Sequence, residues 1–338
     1  MTKMADLPAL SVSSNRIVCG GQPFNFYGVN RDTLEWGVHN WGGCGGDGHF
    51  ANADFDNISA WGVNTVRIPL SQANLLGRRC NPDAYVRMID DVVAKANAHG
   101  MYAILDLHWS DVRGRAPCDS PCKTGQQPMP DVDSILFWEK IAARYAGNRG
   151  IMFNLYNEPH DVSWSCWRNG GCTALSSPET GQQVTYQVVG MQQLYDTVRK
   201  YAPENLILIG GLDWAYDLSG VGAGYAISGT NIVYDTHVYT QWHYTVEDWN
   251  QHFGYLTPSY PVSATEFGSI DCSSDITEKL LDYFDAPMGR TENRISWTIW
   301  SWNAPGECSQ PTVIADWDGT PLPDQGRLIY ERLRAYRM

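Results

Sequence analysis

The sequence predicts an α/β chain folded as a single (β/α)8 TIM barrel with a short N-terminal hairpin. Three observations predict it. Eight short, nearly continuous apolar runs recur along the chain. Nearly every run is followed by a segment whose apolar residues recur at helical spacing. Successive runs start roughly 26 to 55 residues apart. Strands of that kind alternating with amphipathic helices belong to a parallel sheet buried on both faces, and the spacings suit one closed barrel better than a doubly wound sheet.

Taken in order, "SVSSNRIVCGGQPF" (11–24) reads as the hairpin, closing the bottom of the barrel. The strands read "FNFYGVN" (24–30), "NTVRIPL" (64–70), "MYAILDLHW" (101–109), "IMFNLYNEP" (151–159), "NLILIGGLDW" (205–214), "NIVYDTHVY" (231–239), "YPVSATEFG" (260–268) and "RISWTIWSWN" (294–303). Helices are predicted at 53–62, 82–100, 134–148, 180–202, 246–256, 275–286 and 324–336. The segment 82–100 is the clearest, with Pro82 at its start, apolar residues at helical spacing and Gly100 at its end. The helix after the fifth strand is faint, confined to 217–222. No repeat, Pro- or Ser-rich linker or long charge run divides the chain, so 1–338 reads as one domain, with 1–10 disordered or foreign to it.

Net charge is −13, from 37 acidic and 24 basic residues. Such a surface repels polyphosphates and excludes nucleic acid and anionic membranes as partners. The expected partner is a neutral ligand met by a monomer. No apolar stretch approaches the roughly 20 residues of a membrane span. "MTKMADLPAL" lacks the apolar core of a secretory signal, yet nine cysteines with local pairs argue for export. The protein therefore reads as secreted or periplasmic, with its signal no longer attached. Buried free thiols are the alternative reading of those cysteines.

In a barrel of this type the chemistry sits at the C-terminal ends of the strands. Unusual polar residues fall there on six strands: Arg67 in "VRIP", His108 in "LDLHW", Asn157 and Glu158 in "NEP", His237 and Tyr239 in "THVY", Glu266 in "TEFG", and the aromatic Trp300 within the eighth strand. Singly, each has a plain structural explanation: a hydrogen-bonded histidine, an ion-paired arginine, a core tryptophan, a surface acid. Jointly they need another, because charged groups in a barrel mouth are costly without a purpose. Pro159 would end strand pairing and hold Glu158 rigidly at the rim. The fourth and seventh strands face each other across a barrel, so Glu158 and Glu266 can converge on one bound group. Paired carboxylates are what glycoside hydrolysis requires.

With "NEP", "EFG" and "WTIWSWN" in these positions, the chain resembles glycoside hydrolase family 5 of clan A, and within it the bacterial endo-β-1,4-glucanases, from about Phe24 to Tyr336. The resemblance implies a single catalytic domain acting on a β-linked polysaccharide or oligosaccharide without a cofactor. It implies Glu158 as acid/base and Glu266 as nucleophile, with Arg67 and Tyr239 hydrogen-bonded to Glu266, Trp300 flooring the attacked sugar, and His108, Asn157 and His237 in the remaining active-site positions. Loops 32–50 and 164–172 leave glucan against mannan, and hydrolysis against transglycosylation, open. An inactive barrel that only binds polysaccharide is the alternative of another class, and the intact acid pair argues against it. A retaining pair should stand about 5–5.5 Å apart. The charge of Glu266, held ionised by Arg67, should then raise the pKa of Glu158.

"GCGGDG" (43–48) matches a dinucleotide fingerprint but lacks the tight strand–turn–helix around it, and no G-x-S-x-G elbow is present. His39, Cys44 and His49 are a weak metal set without zinc spacing, so no metal is expected. Trp36, Trp41, Trp109 and Trp214, with Trp164, Trp167 and Trp242, fall in or near loops of the top face and suit sugar stacking or packing. Neighbouring loops suggest disulfides Cys44–Cys80 and Cys272–Cys308; sequence proximity suggests Cys118–Cys122 and Cys166–Cys172. Cys19 is left free.

Overall fold

The computed structural model describes residues 7–36, 46–111, 126–177, 183–270, 273–306 and 311–337. Its N-terminal segment is a three-stranded antiparallel sheet, β1 (Leu10–Ser13), β2 (Arg16–Cys19) and β3 (Gln22–Pro23), one strand more than the predicted hairpin. Residues 7–10 belong to the fold, against the expectation of disorder through residue 10: Leu10 starts β1, and the carbonyl of Pro8 accepts from the Tyr102 hydroxyl at 2.8 Å. Leu10 and Ile17 pack on Phe26, Tyr102, Met152 and Val233, so the sheet plugs the bottom of the barrel as expected. Cys19, on β2, is free.

The barrel closes through eight parallel strands: β4 (Tyr27–Asn30), β5 (Thr65–Ser71), β6 (Tyr102–Trp109), β7 (Ile151–Asn154), then β10 (Ile207–Gly210), β11 (Ile232–Tyr239), β12 (Val262–Gly268) and β13 (Ser296–Ile299). Between β7 and β10 the chain inserts a hairpin, β8 (Thr173–Leu175) with β9 (Thr185–Gln187). The first barrel pair approaches closely because Gly28 carries no side chain: a Cβ there would lie 1.8 Å from the Thr65 carbonyl oxygen.

Helices cover the outside, among the described residues α1 (Asn52–Ala60), α2 (Gln72–Leu75), α3 (Pro82–Ala98), α4 (Val132–Arg144), α5 (Trp164–Asn169), α6 (Met191–Tyr201), α7 (Val246–His252), α8 (Asp275–Asp285) and α9 (Gln325–Ala335). Local chemistry sets their ends. Asn81 caps α3 by accepting from the amides of Asp83 and Ala84, Pro82 needs no donor partner in the first turn, and Gly100 takes the positive φ of +76° that follows the helix. Asp131 and Ser134 form a reciprocal cap on α4.

Several predicted boundaries shift. The segment 180–202 is helical only from Met191, because "TYQVV" ahead of it is β-branched and aromatic and joins the hairpin instead. The faint helix after the fifth barrel strand is a single wide turn, Val221–Tyr225. The fourth barrel strand, β7, ends at Asn154, four residues before Glu158, so Pro159 does not terminate its ladder. The chain stays pinned beyond it: Leu155 donates to the Leu208 carbonyl and Asn157 to that of Leu107, both at 3.0 Å. Trp300 follows β13 rather than lying in it, tethered by its amide to the Phe267 carbonyl at 3.0 Å.

Candidate active site

Two register shifts aim the polar side chains at the barrel mouth. Between β11 and β12, Asp235 pairs with Ser263, but His237 pairs with Glu266 instead of Thr265. An extra residue in one strand reverses which side chains face inward. Glu266 is thereby placed beside His237. A second shift lies at the top of β5 and β6, where Leu70 pairs with Leu107 and Ser71 with Trp109.

Arg67 is the hub. It is fully buried, and its guanidinium donates to Asn30 Oδ1 at 2.9 Å, Asn154 Oδ1 at 3.0 Å, Asn157 Oδ1 at 2.7 Å and Glu266 Oε2 at 3.1 Å. It also pairs with Asp106 at 3.0 Å. Four acceptors and an ion pair meet the requirement that a buried guanidinium be neutralised and hydrogen-bonded. Its Asn157 bond fixes that amide, leaving Asn157 Nδ2 buried with no partner among the described residues. Tyr239 donates to the other oxygen of Glu266 at 2.5 Å. Burial, then the Glu266 charge, keeps the Tyr239 hydroxyl well above its ordinary pKa, so it remains a donor.

His237 stands between the two glutamates, its Nδ1 2.9 Å from Glu158 Oε1 and 3.8 Å from Glu266 Oε2. One oxygen of each glutamate and this nitrogen all lie within 4.8 Å of one another. On its other side the ring faces Asp235 at 3.6 Å, and Asp235 is itself anchored by the Ser263 hydroxyl at 2.8 Å and by the amide and hydroxyl of Thr265. His108 bonds Asp106 at 2.7 Å and stacks on Trp300, with ring centroids 5.4 Å apart. The Gln126 amide donates to Glu158 Oε2.

The electrostatics correct one expectation. Glu158 is not raised. Burial pushes its pKa up, but hydrogen bonding to His237, the charges of His237 and His108 and the Gln126 bond together bring it below the ordinary value. Burial opposes a charge on His237, but Glu266, Asp235 and Glu158 overcome it and lift its pKa to about 10. The sequence argument weighed only the two carboxylates and Arg67. The imidazole between them reverses its result.

Arg67, Asn157, Glu158, His237, Tyr239 and Glu266 are thus brought into one connected network, and His108 and Trp300 stack on each other beside it. A cavity of about 700 Å³ holds Glu158 and Glu266 and is lined by Trp214, Tyr216, Tyr239 and Trp242. Trp36 and Trp109 are half-buried and do not line it, and Trp41 lies outside the described residues. Trp167 is core, fully buried with its indole nitrogen donating to the Gly210 carbonyl, and Trp164 packs edge-on against it. Cys166 and Cys172 form the expected disulfide, and Cys80 is disulfide-bonded. Cys44, Cys118, Cys122, Cys272 and Cys308 lie outside the described residues. Asn30, Asp106, Gln126, Asn154 and Asp235 escaped sequence reasoning. Asp106 and Asp235 carried a signal, since each precedes a selected histidine by two residues on a strand and so shares its face.

A closed parallel barrel whose mouth converges on two buried glutamates is the architecture of a glycoside hydrolase. Residues 19–306 match the cellulase model of glycosyl hydrolase family 5, and the chain belongs to that family. It is 24% identical to Endoglucanase MaCel5A of Microbulbifer sp. over 92% of this chain and 55% of the relative. It is 22% identical to Endoglucanase E-5 of Thermobifida fusca over 94% and 63% respectively. The chain thus spans between about half and two thirds of the length of these relatives. Among solved structures it is similar in fold to the β-glucanase SdGluc5_26A of Saccharophagus degradans, with a TM-score of 0.75, 24% identity and coverage of 98% of this chain and 94% of that one. The catalytic domain of Thermobifida fusca endoglucanase Cel5A gives a TM-score of 0.68 at 18% identity, covering 96% and 97%.

Proposed function

We propose that this chain is a secreted, endo-acting, retaining glycoside hydrolase that cleaves β-1,4-glucan by double displacement. The observation that carries the mechanism is the approach of Glu158 and Glu266 oxygens to within 4.8 Å of each other. Inverting pairs stand about 6.5–9.5 Å apart to admit a water, whereas retaining pairs stand about 5–5.5 Å apart. Arg67 and Tyr239 hold one oxygen each of Glu266, which orients it as the nucleophile. Glu158 meets no guanidinium; its partner is the imidazole of His237, a group that can give up its proton, and it borders the cavity as the acid/base.

In the first step a Glu266 oxygen attacks the anomeric carbon. The glycosidic bond breaks, and Glu158 passes a proton to the departing oxygen. In the second, Glu158 takes a proton from water, which attacks the same carbon and releases Glu266. His237, hydrogen-bonded to Glu158 at 2.9 Å, can share with it the proton for the first step. Asn157 Nδ2, buried and unpaired, is placed to donate to a sugar hydroxyl.

Glucan as substrate is supported by family membership and by two similar structures, SdGluc5_26A and Thermobifida fusca Cel5A, each described in complex with cellotetraose. The open cavity flanked by Trp214 and Trp242 suits endo action on a long chain. The Cys166–Cys172 disulfide supports an oxidising, extracytoplasmic location. NMR of the first product released from a soluble cello-oligosaccharide tests the mechanism: a β-anomer is expected, and an initial α-anomer overturns Glu266 as nucleophile.

A further inference from the structure

Asp235 lies on β11 two residues before His237, fully buried and not lining the cavity that holds the two glutamates. Hydrogen atoms converge on it. Its Oδ1 accepts from the Ser263 hydroxyl at 2.8 Å and the Thr265 amide at 3.0 Å, and its Oδ2 accepts from the Thr265 hydroxyl. We infer, resting on the reading of Glu158 as acid/base given above, that Asp235 is a positioning residue: it keeps a hydrogen on His237 Nε2 and so reserves Nδ1 for proton exchange with Glu158.

The hydrogens can be assigned one donor at a time. A carboxylate only accepts, so the hydrogen of the Thr265 hydroxyl is committed to Asp235. That hydroxyl therefore offers a lone pair to His237 Nε2, 3.5 Å away. Asp235 Oδ2 lies 3.6 Å from the same nitrogen. Nε2 meets two acceptors and must carry hydrogen, because the partner of one ring nitrogen sets the protonation of the other. Nδ1, 2.9 Å from Glu158 Oε1, is left as the nitrogen that gains and loses a proton. In the first step its hydrogen crosses to Glu158 as Glu158 protonates the departing oxygen, and the ring is left neutral with hydrogen on Nε2. In the second, the proton that Glu158 takes from water can return to Nδ1. Asp235 itself exchanges no proton.

The strand slip makes this arrangement possible. Where β11 advances from Asp235 to His237, β12 advances from Ser263 to Glu266, one residue further. Two successive residues of β12 therefore turn inward, Thr265 to Asp235 and Glu266 to Arg67. The Thr265 carbonyl is held in turn by Asn30 Nδ2 at 2.8 Å, so the hydroxyl between Asp235 and His237 sits on fixed backbone. The other charged groups do not select a nitrogen in this way. Glu158 and Glu266 both face Nδ1, Arg67 and Tyr239 hold Glu266, and the charge of His108, which is bonded to Asp106, acts on Glu158 from β6.

Asp235→Asn keeps the shape and reverses the hydrogens. The introduced amide donates to the Thr265 oxygen and frees the hydroxyl hydrogen for Nε2, so the neutral ring holds its hydrogen on Nδ1 and cannot pass it on. Loss of the negative charge also lets the ring give up its proton at lower pH. With cellotetraose the alkaline limb of kcat/KM should move towards acid by about one pH unit; with 4-nitrophenyl β-cellobioside, whose leaving group needs little protonation, it should stay. The position of a limb does not depend on the fraction of protein that is folded. Thr265→Val, which removes the hydroxyl link, should move the limb in the same direction, and Thr265→Ser should restore it. Nitrogen NMR of protein labelled in its histidines, with His237 identified by its loss in His237→Asn, reads the ring directly. Raising the pH towards about 10 should strip hydrogen from Nδ1 in wild type and from Nε2 in Asp235→Asn. A limb that stays in Asp235→Asn, or that moves equally for both substrates, overturns the inference, as does loss of the Nε2 hydrogen in wild type. If wild type cleaves neither substrate, the glucanase reading falls, and the nitrogen spectra still decide the hold of Asp235 on His237.

Discussion

The lower and upper ends of the barrel solve opposite problems with the same strands. On the inward face of β11, Val233 is followed at every second residue by Asp235, His237 and Tyr239; on β6, Ile104 is followed by Asp106 and His108. Below, Phe26, Ile104, Met152, Leu208 and Val233 fill the interior and the N-terminal sheet seals it. Above, a guanidinium, two imidazoles and several carboxylates occupy equally dry positions. The lower end is stabilised by apolar area removed from water, which needs no specific partner. The upper end holds together only because each charge is matched, so its parts depend on one another. Function is concentrated where stability is most conditional.

The widest separation between the two ends should appear on deleting the proposed nucleophile. Glu266→Ala leaves no other carboxylate able to form the glycosyl-enzyme, and turnover of soluble cellulose should drop by about 10⁴-fold or more. Reducing-sugar release measures it. Activity within tenfold of wild type would assign the nucleophile elsewhere.

Arg67→Met strikes both stability and function. It takes the guanidinium from the fully buried Asp106, which keeps His108, frees the Asn157 amide and releases one oxygen of Glu266. Breaking a buried pair by removing one partner costs about 3–5 kcal/mol, so both melting temperature and kcat should fall steeply. A melting temperature equal to wild type would show that the upper network is not conditional at all.

Leu208→Ala is the counterpart below. Its side chain is fully buried at the level of Ile104 and Val233. The cavity should cost about 2–5 kcal/mol in denaturant unfolding. At temperatures where the variant is folded, kcat should stay within about twofold of wild type, because nothing in the mouth rests on this residue alone. A proportional loss of kcat would mean that the two ends are one mechanical unit.

How much of this was legible from residues alone also differs between the ends. The alternation of apolar strands and helices is a repeating pattern, and the barrel follows from it. The strand-end rule then picks out Arg67, Glu158, His237, Tyr239 and Glu266. Parity could not have found Glu266's orientation, because the register slip beside His237 depends on pairing across strands. Asn30 and Asn154 are unremarkable as letters and acquire a role only when Arg67 comes within reach. The sequence places Thr185–Gln187 inside the helix predicted at 180–202, and pairing with Thr173–Leu175 overrides that pattern. The sign of the Glu158 shift was missed for the same kind of reason: it is set by a neighbour 79 residues away in sequence.

That shift supplies the smallest of these effects and the sharpest probe of the mouth. The folded pKa of His237 lies at about 10 against an ordinary 6.5. A raised cation contributes stability that is fully present below the unfolded value and lost as pH rises through the folded one. Its window therefore runs from about 6.5 to about 10. Glu158 is depressed, so its contribution is present above the ordinary 4.5 and lost as pH falls through the folded value. His237→Asn removes both terms, and the stability gap to wild type should be widest between these windows and narrow towards alkaline pH. For catalysis the sign follows from the shared proton. In wild type the site keeps that proton until His237 releases it, so the alkaline limb of kcat/KM lies well above neutrality. In His237→Asn the proton can reside only on Glu158, a carboxyl with a lower ordinary pKa than imidazole. The limb should move towards acid by more than about one pH unit, while 4-nitrophenyl β-cellobioside, whose leaving group needs little protonation, should be cleaved over nearly the same alkaline range in both proteins. An alkaline limb left in place would return the proton to Glu158 in the resting enzyme and reduce His237 to a spacer between two carboxylates.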